Sequence, residues 1–507
     1  MWSSSSSLVS NDGLCRTQGV RGHRHGMNFV IFMVRYACAN LAHGFLFNEN
    51  LRLAERAVKF DPVALLTEAE KILGPQHDPP ASITKLAEGG FNRVFLVTLE
   101  DGFEVVVKIP YHLAGPNHFA TVSEAATLQY LHSQGIPVPK LYGYSSKDNP
   151  VGVEYIIMEK ASGVGLDTRW QDMSKRERHK LASSFVEIEK KLFDLPLGAF
   201  GSIYFQSDIP PELQPSLYRA DALELDFPHN GLFPGEKLPT DYVDLLERYR
   251  ALAPYLLPKD IHSPHNLPTL RHPDLNPNNI FIAPDTGAIT CIIDWQHSVV
   301  EPRLLAAGYP RAFGNPDAEP PSKLIEPSLP SDYESLSLED KTEATELHRR
   351  RLLFYYYHIF NGHLNKSHLH CLKDPLLLPR QHLVDRAGRQ WSGNTMTLKG
   401  ALVRMIEYWP LLPDTAGTPC PVQFTEAEME GFFEQEQVWF NLNKVVAQWQ
   451  SDIGCNDDGW VSCERYEEAM RKVTELKASL IETADGDEED IAFLEKGWLY
   501  RDREEIS

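Results

Sequence analysis

His272-Pro-Asp-Leu-Asn-Pro-Asn-Asn279, followed after a short hairpin by Ile292-Ile-Asp-Trp295, decides how this chain is read. Moving a γ-phosphoryl group requires a carboxylate to receive or orient the acceptor hydroxyl and oxygen ligands that hold Mg²⁺ against the triphosphate. Asp274 fits the first role. Asn279, five positions on at the end of an Asn- and Pro-rich turn, offers a neutral amide oxygen to the metal, and Asp294 supplies the anionic ligand. Residues 279–283 and 288–293 read as two short buried strands joined by Asp285-Thr-Gly287, so the hairpin returns Asp294 to the neighbourhood of Asn279.

An isolated His-x-Asp or Asn-Asn in a Pro-rich turn is ordinarily turn chemistry, its side chains bonding their own backbone. Here the loop is followed by a hairpin and then by Ile-Asp-Trp, which is the structural context that gives the motif meaning. His272 is expected to be a packed, hydrogen-bonded residue that shapes the loop, not a base.

The upstream half points the same way. Residues 83–97 read as a strand, a glycine turn and a second strand, and Asp101-Gly102 turns the chain into Phe103-Glu-Val-Val-Val-Lys-Ile109. Gly89 and Gly90 would let backbone N–H groups approach phosphate oxygens with no Cβ in the way. A Gly-Gly between strands is by itself a plain turn, and the full Gly-x-Gly-x-x-Gly spacing is missing. Lys108, ending a run of three valines one hairpin downstream, is either an edge residue snorkelling to water or a charge held in a cleft for an anion, and the glycine turn favours the second. Residues 121–135 read as a helix with a polar start and a glycine stop. Glu124 in its first turn has two readings: ion-pair partner of Lys108, or an acid favoured by the dipole of its own helix.

The loop and metal motifs resemble those of the aminoglycoside phosphotransferase and choline kinase group of protein-kinase-like enzymes, which commonly carry His-Gly-Asp-x-His-x-x-Asn and Ile-Asp-Trp. Pro273 and Asn276 depart from that pattern. The resemblance implies an α+β, protein-kinase-like bilobal fold with a small β-rich N-lobe and a larger helical C-lobe, ATP and Mg²⁺ as cofactors, and a small-molecule hydroxyl as acceptor. It also implies a hinge after the strand Tyr155-Ile-Ile-Met158, where backbone groups near Glu159 and Ala161 would bond the adenine. Glu88-Gly-Gly-Phe-Asn-Arg-Val-Phe95, Ser123-Glu-Ala-Ala-Thr127, Ile136-Pro-Val-Pro139, Asp294-Trp-Gln-His297 and Asp458-Gly-Trp-Val461 resemble a fungal subgroup of altered inheritance of mitochondria proteins. That resemblance, from about residue 48 onward, implies a mitochondrial kinase-like protein of unsettled substrate.

With 507 residues and 42% hydrophobic content the chain is long and apolar enough for a sizeable core, and its net charge of −21 disfavours a broad nucleic-acid surface. Seven cysteines without paired spacing give no disulfide framework, and His368-Leu-His-Cys371 reads as structural, with no second cysteine pair near it. Residues 1–47 hold one acid, Asp12, against Arg16, Arg21, Arg24 and Arg35, with a serine run at the start, the composition of a mitochondrial presequence or a disordered leader. Arg35, Asn40, His43 and Gly44 interrupt its apolar part, so no stable transmembrane span is expected. The domains expected are this leader, an N-terminal extension over 48–80, the N-lobe and hinge over 81–160, the C-lobe with catalytic loop and helical substrate subdomain over 161–480, and an acidic tail over 481–507. The function expected is ATP-dependent phosphotransfer to a small-molecule hydroxyl; the alternative is a nucleotide-binding pseudokinase acting as a mitochondrial maintenance or scaffold protein. A protein kinase is disfavoured, since no Ala-Pro-Glu element follows Ile-Asp-Trp. The oligomeric state is left open, and a cytoplasmic location is the alternative to a mitochondrial one.

Overall fold

Side-chain alternation sorts the N-terminal sheet into two faces. The computed structural model describes residues 44–209, 239–317, 321, 323–388, 395–456, 459–484 and 486–502. Five antiparallel strands, β1 (Pro80–Glu88), β2 (Asn92–Leu99), β3 (Glu104–Pro110), β4 (Leu141–Ser145) and β5 (Tyr155–Glu159), form one sheet in the order β1-β2-β3-β5-β4. Val105, Val107 and Ile109 of β3 and Tyr155 and Ile157 of β5 pack with Leu65, Ala69 and Leu73 of a preceding helix, α2 (Pro62–Leu73). A shorter helix, α1 (Glu49–Arg56), precedes it. The intervening residues Val106, Ile156 and Met158 belong to the large core of the C-terminal half. Lys108 shares the parity of Val106, so the strand period alone delivers its side chain to the cleft between the two halves. Asp101-Gly102 makes the expected turn: the Leu99 N–H donates to the Phe103 carbonyl at 2.8 Å, and Gly102 has φ 84°.

The helix α3 (Phe119–Ser133) crosses the sheet edge and is buried along most of its length, and the left-handed Gly135 (φ 69°) follows its end. Beyond the hinge, a short strand β6 (Val164–Gly165) leads into α4 (Lys175–Phe193), which opens with a Ser174/Glu177 capping box. Leu181, Phe185, Ile188 and Leu192, which step by four, three and four along one face, pack with Leu352, Leu353, Tyr356 and Tyr357 of the long helix α6 (Leu338–Leu364), whose N-cap is Ser337. The helix α5 (Pro239–Leu252) and a two-stranded pair, β7 (Pro268–Leu270) with β10 (Val300–Pro302), bracket the catalytic segment. Between them β8 (Ile280–Ile282) and β9 (Ile289–Ile292) form the expected hairpin, with β6 against β8.

Besides two four-residue helices, Leu166–Arg169 and Arg303–Ala306, the described residues add α7 (Lys366–Leu372), α8 (Leu377–Gly388), α9 (Thr395–Glu407), α10 (Glu426–Ile453), α11 (Tyr466–Thr483) and α12 (Glu488–Gly497). Leu383, Leu398, Leu402 and Met405 close a third core with Tyr242 and Leu252 of α5. A Thr425/Glu428 capping box opens α10. A fourth core joins the two ends of the described chain: Leu46 packs with Ile453, Val461, Ala469, Val473, Trp498 and Tyr500. Val461 N–H donates to the Gly44 carbonyl at 2.7 Å and Leu46 N–H to the Gly459 carbonyl at 3.0 Å. A Cβ on Gly44 would lie 2.6 Å from the Val461 carbonyl oxygen, so this approach requires glycine.

The 481–507 segment is more than a solvated acidic tail. Its acids Glu488, Glu489 and Asp490 are exposed and sit in the first turn of α12, where the dipole favours them, while Trp498 and Tyr500 bury against the fourth core. Residues 1–43 of the expected leader and 503–507 of the tail lie outside the described residues. No helix among the described residues is long and apolar enough to cross a membrane.

Candidate active site

A closed ring of four hydrogen bonds assembles the catalytic loop. The Asp274 N–H donates to His272 Nδ1 (3.1 Å), His272 Nε2 donates to the Ile293 carbonyl (2.8 Å), the Ile293 N–H donates to the Asn279 carbonyl (3.0 Å), and Asn279 Nδ2 donates to the Asp274 carbonyl (2.8 Å). The ring fixes Asp274, Asn279 and Asp294, the last adjoining Ile293, against one another with backbone precision. Burial lowers the pKa of His272, so it is a neutral imidazole with one nitrogen accepting and one donating. Its ring meets Trp295 edge-on at 4.7 Å. His272 therefore shapes the loop, as read from sequence.

Asp274 is exposed at the loop surface, where an acceptor can reach it. Its Oδ2 accepts a hydrogen bond from Asn276 Nδ2 at 2.8 Å, so the residue that departs from the resembled pattern orients the candidate base. The Asn279 amide nitrogen is bound to the Asp274 carbonyl, and its amide oxygen could serve a cation.

Lys108 joins the two halves. Its Nζ donates to both carboxylate oxygens of Glu124 at 2.8 Å and to Asp294 Oδ1 at 2.7 Å. Lys108 and Glu124 are 5% and 3% exposed, whereas the Asp294 side chain is 43% exposed. Burial pushes the Lys108 pKa down, but the two carboxylates override it and the group is held above its ordinary value. Burial, reinforced by the nearby Asp294 charge, raises the Glu124 pKa; Lys108 outweighs burial at Asp294 and lowers it. One ammonium faces two carboxylates, so the triad carries excess negative charge on its exposed member. Asp294 and the Asn279 amide could hold a divalent cation beside that charge.

The dipole reading of Glu124 does not hold: α3 begins at Phe119, so Glu124 lies in the second turn, its first turn holds no acid, and the carboxylate is spent on Lys108. The glycine turn is open. A Cβ on Gly90 would meet nothing within 4 Å and one on Gly89 only the Asn92 carbonyl oxygen at 3.9 Å, so protein packing does not require glycine here. The Gly89 N–H is occupied by the Asn92 carbonyl at 2.9 Å. At the hinge, the Glu159 N–H donates to the Lys140 carbonyl (2.9 Å) and its carboxylate accepts from the Lys140 N–H (3.1 Å), which ties Glu159 to the neighbouring strand. The Ala161 N–H, past the end of β5, makes no hydrogen bond among the described residues.

Two features escaped sequence reading. Asn92 Nδ2 donates to Gln296 Oε1 at 2.8 Å across the cleft. Behind the catalytic loop, Glu189 accepts a 2.5 Å hydrogen bond from the Tyr357 hydroxyl and lies 3.5 Å from the Arg271 guanidinium. Burial raises the Glu189 pKa to about 7. The signal was present: Glu189 is four residues after Phe185, a carboxylate on the stripe that helical periodicity turns inward.

Residues 82–305 match the model of the phosphotransferase enzyme family, APH. The arrangement around it, a β-rich half and a larger helical one, is α+β, as expected. Among curated proteins, the subtelomeric hrmA-associated cluster protein of Aspergillus fumigatus is 29% identical over 85% of this chain and 99% of its own length. Altered inheritance of mitochondria protein 9, mitochondrial, of Candida dubliniensis is 22% identical over 83% of this chain and 78% of its own. The relative of that name in Candida tropicalis is 32% identical over 30% of this chain and 27% of its own. A solved putative aminoglycoside phosphotransferase from Ralstonia eutropha is 15% identical, with 68% of this chain and 99% of that one covered and a TM-score of 0.34.

Proposed function

We propose that the protein is an ATP-dependent phosphotransferase that moves the γ-phosphoryl group of Mg·ATP to a hydroxyl of a small molecule in mitochondria. The observation that carries this reading is the convergence of Lys108, Glu124 and Asp294 within hydrogen-bond distance, beside a loop whose four-bond ring sets Asp274 and Asn279. Mg·ATP would supply the electrophilic phosphoryl group and the charge that this site is built to complement. Asp274 would orient the acceptor hydroxyl and take its proton, held in place by Asn276. Lys108 would direct its ammonium to the phosphates while Glu124 keeps it out of solvent. Asn279 and Asp294 would hold the cation, the Gly89-Gly90 turn would lie over the triphosphate, and the hinge near Glu159 and Ala161 would receive the adenine, with the Ala161 N–H as the available donor. The pseudokinase alternative predicts nucleotide binding without transfer. A metabolite-pool screen with purified protein, ATP and Mg²⁺, read by mass spectrometry, separates the two: a phosphorylated product absent with Asp274→Ala supports the enzyme, and no product from any pool supports the scaffold.

A further inference from the structure

Two side chains tie the five-stranded sheet to the loop that follows β9. One is Lys108, through Asp294. The other is Asn92, the first residue of β2, whose Nδ2 donates to Gln296 Oε1 at 2.8 Å across a sequence separation of 204 residues. Asn92 is 9% and Gln296 8% exposed, and Asn92 Oδ1 has no partner among the described residues. Asn92 also anchors the glycine turn through its backbone, since its carbonyl accepts from the Gly89 N–H at 2.9 Å, and the Phe91 carbonyl accepts from the Tyr111 N–H at 2.8 Å. Whatever holds Asn92 therefore holds Gly89 and Gly90.

On the other side of the cleft, Gln296 sits between two left-handed non-glycine residues, Asp294 (φ 64°) and His297 (φ 62°). Such backbone persists only where surrounding contacts over-determine it. Within its own segment it is held by Trp295 Nε1 donating to the Ile292 carbonyl (3.0 Å) and Ser298 Oγ donating to the Trp295 carbonyl (2.6 Å). The contact to Asn92 is the one that comes from the opposite lobe at Gln296.

We propose that Asn92 and Gln296 form an interlobe clasp that holds the glycine turn in register with Asp294 over a bound nucleoside triphosphate, and that opening this clasp governs nucleotide release. The inference rests on the phosphotransferase reading. The chemistry distinguishes the two ties. The Lys108–Asp294 contact is a bond between charges for which phosphates and a divalent cation compete directly. The amide–amide bond is neutral and buried, so it stays closed when Lys108 turns to the phosphates, and nothing in the bound nucleotide replaces it. Asn92 and Gln296 are positioning residues, acting through the turn and through Asp294.

The test is stopped-flow release of a fluorescent ATP analogue, with Mg²⁺, from the full chain. Asn92→Ala and Gln296→Ala should each speed release about three- to tenfold, the range of one net hydrogen bond, and the double variant should add little, because both remove one interaction. The exchanged pair Asn92→Gln with Gln296→Asn, which keeps the donor, the acceptor and the total span, should return release toward the unmodified rate. A merely structural role would lower the melting temperature and leave release unmoved. If the single variants do not fold, the exchanged pair decides: release near the unmodified rate supports the clasp, and release as fast as expected for a broken clasp overturns it. Nucleotide binding by the unmodified protein with unchanged release in folded single variants overturns the clasp alone. Failure of the unmodified protein to bind the analogue removes the phosphotransferase reading and the clasp with it.

Discussion

The charged cleft and the C-terminal helical shell are built on opposite principles. The cleft gathers charge from β3, α3 and the loop after β9: Lys108, Glu124 and Asp294 meet within 2.8 Å, and Asp274 stands exposed beside them. The shell, formed by residues 44–47 and α10 to α12, is held by apolar contacts such as Leu46, Ile453, Val473 and Trp498, and its ion pairs are largely exposed. Buried opposite charges are costly unless they do something together, whereas apolar burial stabilises without specifying chemistry. The contrast implies that changes in the cleft alter nucleotide handling and changes in the shell alter stability.

The largest expected effect lies in the cleft. Asp274→Asn should leave Mg·ATP affinity within about threefold and lower phosphoryl transfer by about 10²–10⁴, the usual contribution of a positioned acid or base. Calorimetry and a product assay on the same sample measure both, and unchanged transfer would make Asp274 an ordinary loop residue.

The shell should answer differently. Removing residues 1–43 leaves Gly44 to Phe47 in place, whereas removing 1–47 strips Phe45 and Leu46, each 5% exposed, from the core. The longer deletion should destabilise the protein by about 2–5 kcal/mol relative to the shorter one, with Mg·ATP affinity the same in both. Denaturant unfolding with calorimetry tests this, and a parallel loss of affinity would break the distinction between the regions.

Within the cleft, Lys108 and Glu124 should act as one unit. Lys108→Met and Glu124→Gln should each weaken Mg·ATP binding, and the double variant should be little worse than Lys108→Met, with a coupling of about 0.5–3 kcal/mol. Additive losses in the double-mutant cycle would retire the pair.

Glu189, buried on α4 outside both regions, should show the smallest effect. Burial raises its pKa from 4.5 to about 7, with the Arg271 guanidinium opposing. The folded protein therefore binds this proton more tightly than the unfolded chain. The stability it contributes is full below pH 4.5 and is lost as pH rises through about 7. Glu189→Gln removes that dependence, so the stability of the variant relative to the unmodified protein should rise by on the order of 1 kcal/mol between pH 5 and pH 8. Thermal unfolding across that range measures it, and parallel curves would show that Glu189 does not titrate.

How much of this was legible follows from the range of each interaction. The β2–β3 and β8–β9 hairpins are written in a few adjacent residues, and sequence reading found both. The Lys108–Glu124 pair was legible because strand parity and the next helix bring the two together. The start of α3 was placed two residues late, since His118 at φ 66° is not a capping residue and gives no start signal. The Asn92–Gln296 bond spans 204 positions and joins two residues whose types are common in turns, so nothing local announces it. The same holds for Gly44 meeting Val461: the glycine is required by a carbonyl more than 400 residues away in sequence. Trp498 and Tyr500 were hidden behind the acidic run that precedes them, although two aromatic residues after a charged helix are a recognisable sign of docking.

The account stands or falls on whether the cation and the nucleotide bind as one. Calorimetric titration of ATP into the protein, with Mg²⁺ and then with excess chelator, is the most direct measurement. Asn279 and Asp294 are the cation ligands proposed above, and Asp294 is bonded to Lys108. ATP should therefore bind readily with Mg²⁺ and only weakly without it, when the triphosphate must face two carboxylates with one ammonium between them. Equal affinity in the two titrations, or no binding in either, would contradict the assignment of this site.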